Sequence, residues 1–241
     1  MALEQMLIYV VLPVAGYLLG SVPFALLIGF SNGVDIRKAG SGNVGATNLA
    51  RVLGRNGKRG KFFFQAFALD AAKGFFPTLA AALLTDHWGV MIPGWAPLVT
   101  GTACFLGHLF PVYLKFKGGK GVATSFGVVL GFWPVYSLAG LAAITIFTGV
   151  FLVWRYISLA SIIAVISFAA LVPVIGRMGV LLMPWPELLP LVVTGAALAL
   201  VIVLKHRANI GRLLAGTEHR AGAKTSQELT TEGTENTENV T

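Results

Sequence analysis

The chain has 241 residues, of which 56% are hydrophobic and only 12% charged, with a mean hydropathy of +0.77. That balance excludes an ordinary soluble domain. The net charge of +8 would suggest nucleic acid in a soluble protein; among repeated apolar blocks of spanning length it marks the basic loops on one side of a membrane, and no nucleic-acid partner is expected.

Before its first apolar run the chain has Glu4 and no Lys or Arg. It lacks the basic start of a cleaved signal peptide and reads as a retained first span, 6–30, containing Pro13 and Pro23. A basic segment, 35–61, carries Arg37, Lys38, Arg51, Arg55, Lys58, Arg59 and Lys61 against only Asp35. A second span, about 62–84, contains Asp70 and Lys73. A loop at Asp86-His87-Trp88 has no Lys or Arg, and a third span runs to about Tyr113, where it meets Lys115-Phe116-Lys117-Gly118-Gly119-Lys120-Gly121.

Residues 122–154 could form one long helix or two short ones. Phe132-Trp133-Pro134-Val135-Tyr136 in their middle has the character of an aromatic, Pro-broken turn. Further spans at about 156–175 and 188–204 follow, with Arg155 and Arg177 at their turns, and then Lys205, Arg207, Arg212, Arg220 and Lys224. If 122–154 is two spans, 16 of the 18 Lys and Arg residues fall on one side, leaving Lys73 within a span and Arg177 opposite. The expected fold is therefore an all-α polytopic membrane protein with seven transmembrane helices, N-terminus outside and C-terminus cytoplasmic. The two central spans are short enough to be tilted, re-entrant or partly unwound. Residues 1–216 form the membrane domain, and 217–241, rich in Thr, Glu, Asn and Gly, a disordered cytoplasmic tail.

On this topology three polar clusters share the cytoplasmic face. The first is Gly40-Ser41-Gly42-Asn43-Val44-Gly45-Ala46-Thr47-Asn48 with Arg51. The second runs from Gly107-His108 through Gly121, and the third from Lys205-His206-Arg207-Ala208-Asn209 to Glu218. Each combines cations with glycines or amides, a composition suited to phosphate. The plainer alternatives are turn-rich linkers and side-marking cations. These account less well for Gly118, Gly119 and Gly121 around Lys120, or for the Asn43, Asn48 and Asn209 amides.

Several chemistries are excluded by spacing. Lys120 is followed by Gly121 and residue 114 is Leu, so Gly-Gly-Lys-Gly is not a Walker A loop. There is no Gly-x-Ser-x-Gly elbow and no His-Glu-x-x-His helix. The four histidines are scattered and the lone Cys104 lies among apolar neighbours, so no metal site or disulfide is expected. No histidine precedes an Asp by five residues, so the His-x-x-x-x-Asp pair of acyl-CoA-dependent glycerolipid acyltransferases is absent. Asp70 and Lys73, three apart in a span, share a helix face. They either support a site or form a structural ion pair.

Together the clusters resemble the three motifs of the bacterial membrane glycerol-3-phosphate acyltransferases that use acyl-phosphate as donor, the PlsY family. The likeness covers about residues 8–218. It is carried by Ser41 to Asn48 with Arg51, Gly107-His108 through Gly121, and His206-Arg207 with Asn209 and Glu218; Asp70 and Lys73-Gly74 match an Asp-x-x-Lys-Gly in the second helix. The apolar lead-in that follows Arg55 to Lys61 is longer than the family pattern, and the tail after Glu218 is extended.

The resemblance implies seven membrane helices in the bacterial inner membrane, with the site on the cytoplasmic side. It implies transfer of a fatty acyl group from acyl-phosphate to the 1-hydroxyl of glycerol-3-phosphate, without cofactor, and a soluble partner enzyme that makes the acyl-phosphate. On it, Ser41, the backbone near Gly42 and Asn43, and Lys120 hold the donor phosphate; Arg51, His206 and Asn209 position the acceptor; and Glu218 orients a basic partner or a glycerol hydroxyl. Thr47, Asn48, His108, Gly118, Gly119 and Gly121 complete the expected binding set, supported by Asp70 and Lys73. The proton acceptor is His206 or a substrate phosphate. Rival readings are a transporter of a phosphorylated metabolite and a structural protein gripping anionic lipid.

Overall fold

The computed structural model describes residues 3–54, 57–87, 95–179 and 181–222. Arg55, Trp88, Lys224 and the tail beyond 222 lie outside these residues.

Among the described residues there are helices and no strand. A short α1 (Leu3–Met6) and a π-helical turn (Leu7–Val11) lead into α2 (Leu12–Gly20) and α3 (Phe24–Ser31). Then come α4 (Ala46–Leu53), α5 (Arg59–His87) and α6 (Trp95–Leu109), followed by a 3-10 turn, Val112–Leu114. The rest is α7 (Val122–Leu130), α8 (Val135–Trp154), α9 (Ile157–Arg177), α10 (Trp185–Lys205) and α11 (Arg207–Leu214). Six helical segments are long and apolar enough to cross a membrane: Leu7–Ser31, Arg59–Thr85, Trp95–Leu114, Val135–Trp154, Ile157–Arg177 and Trp185–Lys205.

Residues 122–154 do divide in two at the aromatic, Pro-containing turn. The first piece, α7, has 9 residues and rises about 14 Å, well short of a hydrocarbon core of about 30 Å. Its turn is nonetheless deep in the bundle: Phe132, Val135 and Tyr136 share a core with Val172 near the end of α9 and Leu188 near the start of α10. The first span is also interrupted. Pro23 has no N–H to continue the helix, so the chain opens between Gly20 and Phe24, and Lys73 Nζ donates to the Val22 carbonyl at 2.7 Å.

Small residues set the close helix crossings, as expected where lipid supplies no hydrophobic contrast. Gly16 and Gly20 of α2 face Thr100 and Cys104 of α6, and a Cβ at Gly20 would fall on the Cys104 backbone. Gly107 meets the Tyr17 carbonyl in the same interface. Between α5 and α7, Gly74 lies on the Thr124 carbonyl and Gly127 on the Ala71 carbonyl. This leaves α2, α5, α6 and α7 in one tightly packed group, with α8 and α10 each packed on α9 beside it. The aromatic core of Phe132, Tyr136 and Phe168 joins the two groups at one end. Towards the other end they separate around a cavity.

Candidate active site

The cavity has a volume of about 370 Å³. At its polar end it is lined by Ser41, Asn43, Thr47 and Arg51 from the first cluster, Lys120 and Gly121 from the second, and His206, Asn209, Arg212 and Glu218 from the third. Its walls then become apolar: Phe63, Phe64 and Phe67 of α5, Phe126 and Val129 of α7, Ala143 and Phe147 of α8, and Ala164 and Phe168 of α9. Three clusters far apart in sequence thus meet at one end of one cavity.

The first cluster is a folded loop. Gly40 (φ +61°) and Gly42 (φ +70°) take left-handed conformations that disfavour a side chain. Asn48 is almost fully buried and is occupied by the loop itself: Nδ2 donates to the Ile36 carbonyl at 2.8 Å and to the Ala39 carbonyl at 3.1 Å, while Oδ1 accepts from the Ser41 N–H at 2.8 Å. Asn48 therefore shapes the loop, and it also lines the cavity. Gly45 is the N-cap of α4 without a side-chain cap. Gly45, Ala46 and Thr47 line the cavity, so the positive end of the α4 dipole faces it. Arg51, on the last turn of α4, is half-buried at the cavity wall; burial pulls its pKa down while the Glu218 charge opposes that shift.

The third cluster is organised by Glu218. Its Oε1 accepts from Ser158 Oγ and from Asn209 Nδ2, each at 2.7 Å, and its Oε2 accepts from Arg212 Nε at 2.7 Å. Burial pushes this carboxyl up, but hydrogen bonds from Ser158, Asn209 and Arg212 outweigh it and hold the pKa below the usual range. Asn209 then links this group to the second cluster, because Lys120 Nζ donates to Asn209 Oδ1. Burial pulls Lys120 down to about 8, with Glu218 opposing and Arg212 and Arg51 adding to the fall. His206 donates from Nδ1 to the Ile202 carbonyl at 2.8 Å, which leaves Nε2 as an acceptor. Desolvation, followed by the Lys120 charge, holds it down to about 4, so this imidazole is neutral at pH 7.

Arg51, Lys120 and Arg212 against Glu218 leave two positive charges at the polar end, matching a phosphate dianion. Asp70 and His108 reach the cavity wall, whereas Lys73, Gly42, Gly118 and Gly119 do not line it. Asp70 and Lys73 are both buried and paired at 2.7 Å, and Lys73 also crosses to the Val22 carbonyl. Ser158 was not foreseen. It lies just inside α9, one of three serines in a mostly apolar helix, and no motif spacing marks it; its contact with Glu218, 60 residues away, does.

Fold and site together define a polytopic helical membrane protein with a pocket of net positive charge continuous with an apolar chamber. The chain belongs to the glycerol-3-phosphate acyltransferase family, whose model matches residues 10–216. It is 42% identical over 210 residues to the glycerol-3-phosphate acyltransferase of Geotalea daltonii, covering 87% of this chain and 96% of the relative. To that of Aquifex aeolicus it is 44% identical over 209 residues, covering 87% and 97%. Among solved structures it is similar to the integral membrane glycerol 3-phosphate acyltransferase PlsY (YgiH). The glycerol 3-phosphate form matches with a TM-score of 0.74 at 42% identity, over 88% of this chain and 94% of that one. The lysophosphatidic acid form matches with a TM-score of 0.71 at 41% identity, over the same shares.

Proposed function

We propose that this cavity transfers a fatty acyl group from acyl-phosphate to the 1-hydroxyl of glycerol-3-phosphate, giving 1-acyl-glycerol-3-phosphate and inorganic phosphate. The observation that carries the reading is the continuity of a pocket bearing two net positive charges with a chamber walled by Phe63, Phe67, Phe126, Ala143, Ala164 and Phe168. A phosphate and an acyl chain on one donor molecule need those two environments side by side. The solved relatives in glycerol 3-phosphate and lysophosphatidic acid forms support the acceptor and the product.

The hydroxyl oxygen attacks the acyl carbonyl carbon; the bond from that carbon to the phosphate oxygen breaks, and phosphate leaves with the electron pair. The donor is already activated, so the protein needs to align the reactants and stabilise charge on the carbonyl oxygen and the leaving phosphate. Ser41, Lys120 and the amide groups at the start of α4 take the donor phosphate, and Arg51 takes glycerol-3-phosphate. Asn209 and Glu218 hold Lys120 and Arg212 in place and leave the two substrates to the cations.

The hydroxyl proton goes to a substrate phosphate. His206, held down to about 4, is a weaker base than a phosphate monoester whose second pKa is about 6. His206 Nε2 is then an acceptor that orients the hydroxyl.

The membrane is the bacterial inner membrane, and the polar end of the cavity faces the cytoplasm, with the N-terminus outside, α7 as a short seventh element and 217–241 as a separate tail. Placing 16 of 18 basic residues on that side supports this orientation. The acyl-phosphate is supplied by a soluble enzyme. The deciding experiment is phosphate release from the purified protein in lipid or detergent. Release that requires both acyl-phosphate and glycerol-3-phosphate supports the reading. Release from acyl-phosphate alone, or uptake of glycerol-3-phosphate into proteoliposomes without acyl donor, overturns it.

A further inference from the structure

Gly118 and Gly119 precede Lys120 as phosphate-binding glycines commonly do, yet neither lines the cavity. Nor does their backbone demand glycine, since the left-handed glycine of this loop is Gly121 (φ +86°). Their surroundings do. A Cβ on Gly118 would fall on the His108 carbonyl and lie 2.7 Å from the Leu109 carbonyl oxygen. A Cβ on Gly119 would fall on His108 Nε2 and lie 3.0 Å from Cε1 of the same ring. The Gly119 N–H also donates to the His108 carbonyl at 3.2 Å.

The imidazole has little freedom to yield. It is buried at the end of α6, and its Nδ1 lies 3.8 Å from Asp70 Oδ1. That carboxylate pairs with Lys73 at 2.7 Å, and Lys73 donates to the Val22 carbonyl at 2.7 Å. Contacts therefore run from the break in the first span, through α5 and α6, to the residue adjoining Lys120.

We propose that His108 is a positioning residue for Lys120: buried beside the Asp70–Lys73 pair, its ring is the seat on which the 115–121 loop rests. Gly119 is glycine because the imidazole occupies the place of a side chain, and His108, expected from sequence to contact substrate, acts through the loop instead. The inference rests on the reading of Lys120 as a phosphate-binding cation. Moving that ammonium by about 1 Å is enough to cost about 100-fold in rate.

The test is a double-mutant cycle on the acyl-transfer reaction, with thermal unfolding in detergent confirming that each variant is folded. Gly119→Ala is expected to lower kcat/KM for acyl-phosphate by about 100-fold. Adding His108→Ala removes the obstructing ring and is expected to restore activity at least about tenfold over Gly119→Ala. His108→Ala alone, folded and with Gly119 intact, is expected to raise the KM for acyl-phosphate about tenfold by unseating Lys120, a loss that mere packing of the ring does not produce. If His108→Ala does not fold, His108→Asn, also smaller than the ring, replaces it in the cycle. A double variant no better than Gly119→Ala, or a Gly119→Ala enzyme with wild-type kinetics, overturns the proposal. Lys120→Ala separates the two levels: wild-type turnover there sinks the phosphate role of Lys120, whereas loss of turnover with no rescue in the cycle sinks the seat alone.

Discussion

Lys120 Nζ donates a hydrogen bond to Asn209 Oδ1 across 89 residues of chain. The same amide donates to Glu218 Oε1 at 2.7 Å, so one asparagine fixes a cation on one side and a carboxylate on the other. Replacing it with Leu leaves both charges without that partner. Asn209→Leu is expected to reduce kcat/KM by 100-fold or more, from the cost of unpaired buried polar groups. Glu218→Gln, which keeps the shape and loses the charge, is expected to be milder. Steady-state kinetics on the two variants checks the order; equal, slight effects would mean that the network is ornamental to turnover.

Lys120 gives a pH dependence. Its pKa is held down to about 8 by burial, so it is charged below that pH and neutral above it. The kcat/KM for phosphate-bearing substrate should therefore fall as pH rises through about 8. A bound phosphate stabilises the ammonium, so the basic limb of kcat should lie higher. A limb in kcat/KM that starts only beyond about 10 contradicts this.

His206 is a test of substrate assistance. A general base contributes about 100-fold to 10,000-fold, whereas an orienting acceptor contributes less. Because the ring is neutral at pH 7, His206→Gln preserves an acceptor and is expected to lose less than about 30-fold in kcat. A loss above about 1,000-fold, with a changed pH profile, would make His206 the base.

Phe168 ends the apolar chamber. It lines the cavity, and behind it Tyr136 packs edge-on at 5.1 Å, with its hydroxyl donated to the Leu191 carbonyl at 2.7 Å. With this floor held, Phe168→Ala should shift the preferred donor to longer acyl chains, and Ala164→Leu, on the same helix, to shorter ones. A competition assay with a mixed-length set of acyl-phosphates reads the shift. Unchanged preference in both variants would place the chain end elsewhere.

Asn48→Ala removes three hydrogen bonds within the 36–48 loop. It is expected to destabilise the protein by about 2–4 kcal/mol and to raise the KM for acyl-phosphate. Thermal unfolding and kinetics on one preparation check both effects.

How far these features are visible in the sequence depends on their range. The spans are local properties of hydropathy, and their ends in the structure differ by a few residues from those expected: Ile157–Arg177 against 156–175, and Trp185–Lys205 against 188–204. Pro23 is tolerated in sequence terms but breaks the helix, because Lys73 from another span is there to take the freed Val22 carbonyl. The polar clusters are legible as clusters. That Asn48 braces its own loop and that Gly118 and Gly119 pack on the end of α6 is not legible there, because glycine and amide composition is the same for a loop that binds and a loop that packs.

The sequence by itself determined a helical membrane protein, the residues 122–154 as two helices, the three clusters and the family they resemble. All of these follow from composition, spacing and short-range pattern. Only the tertiary structure decided that α7 is too short to be a full span, that Glu218 gathers Ser158, Asn209 and Arg212, and that Gly119 faces an imidazole instead of the cavity. Each of those facts is a contact or a depth in the bundle, fixed by helix packing among residues that the chain itself keeps far apart.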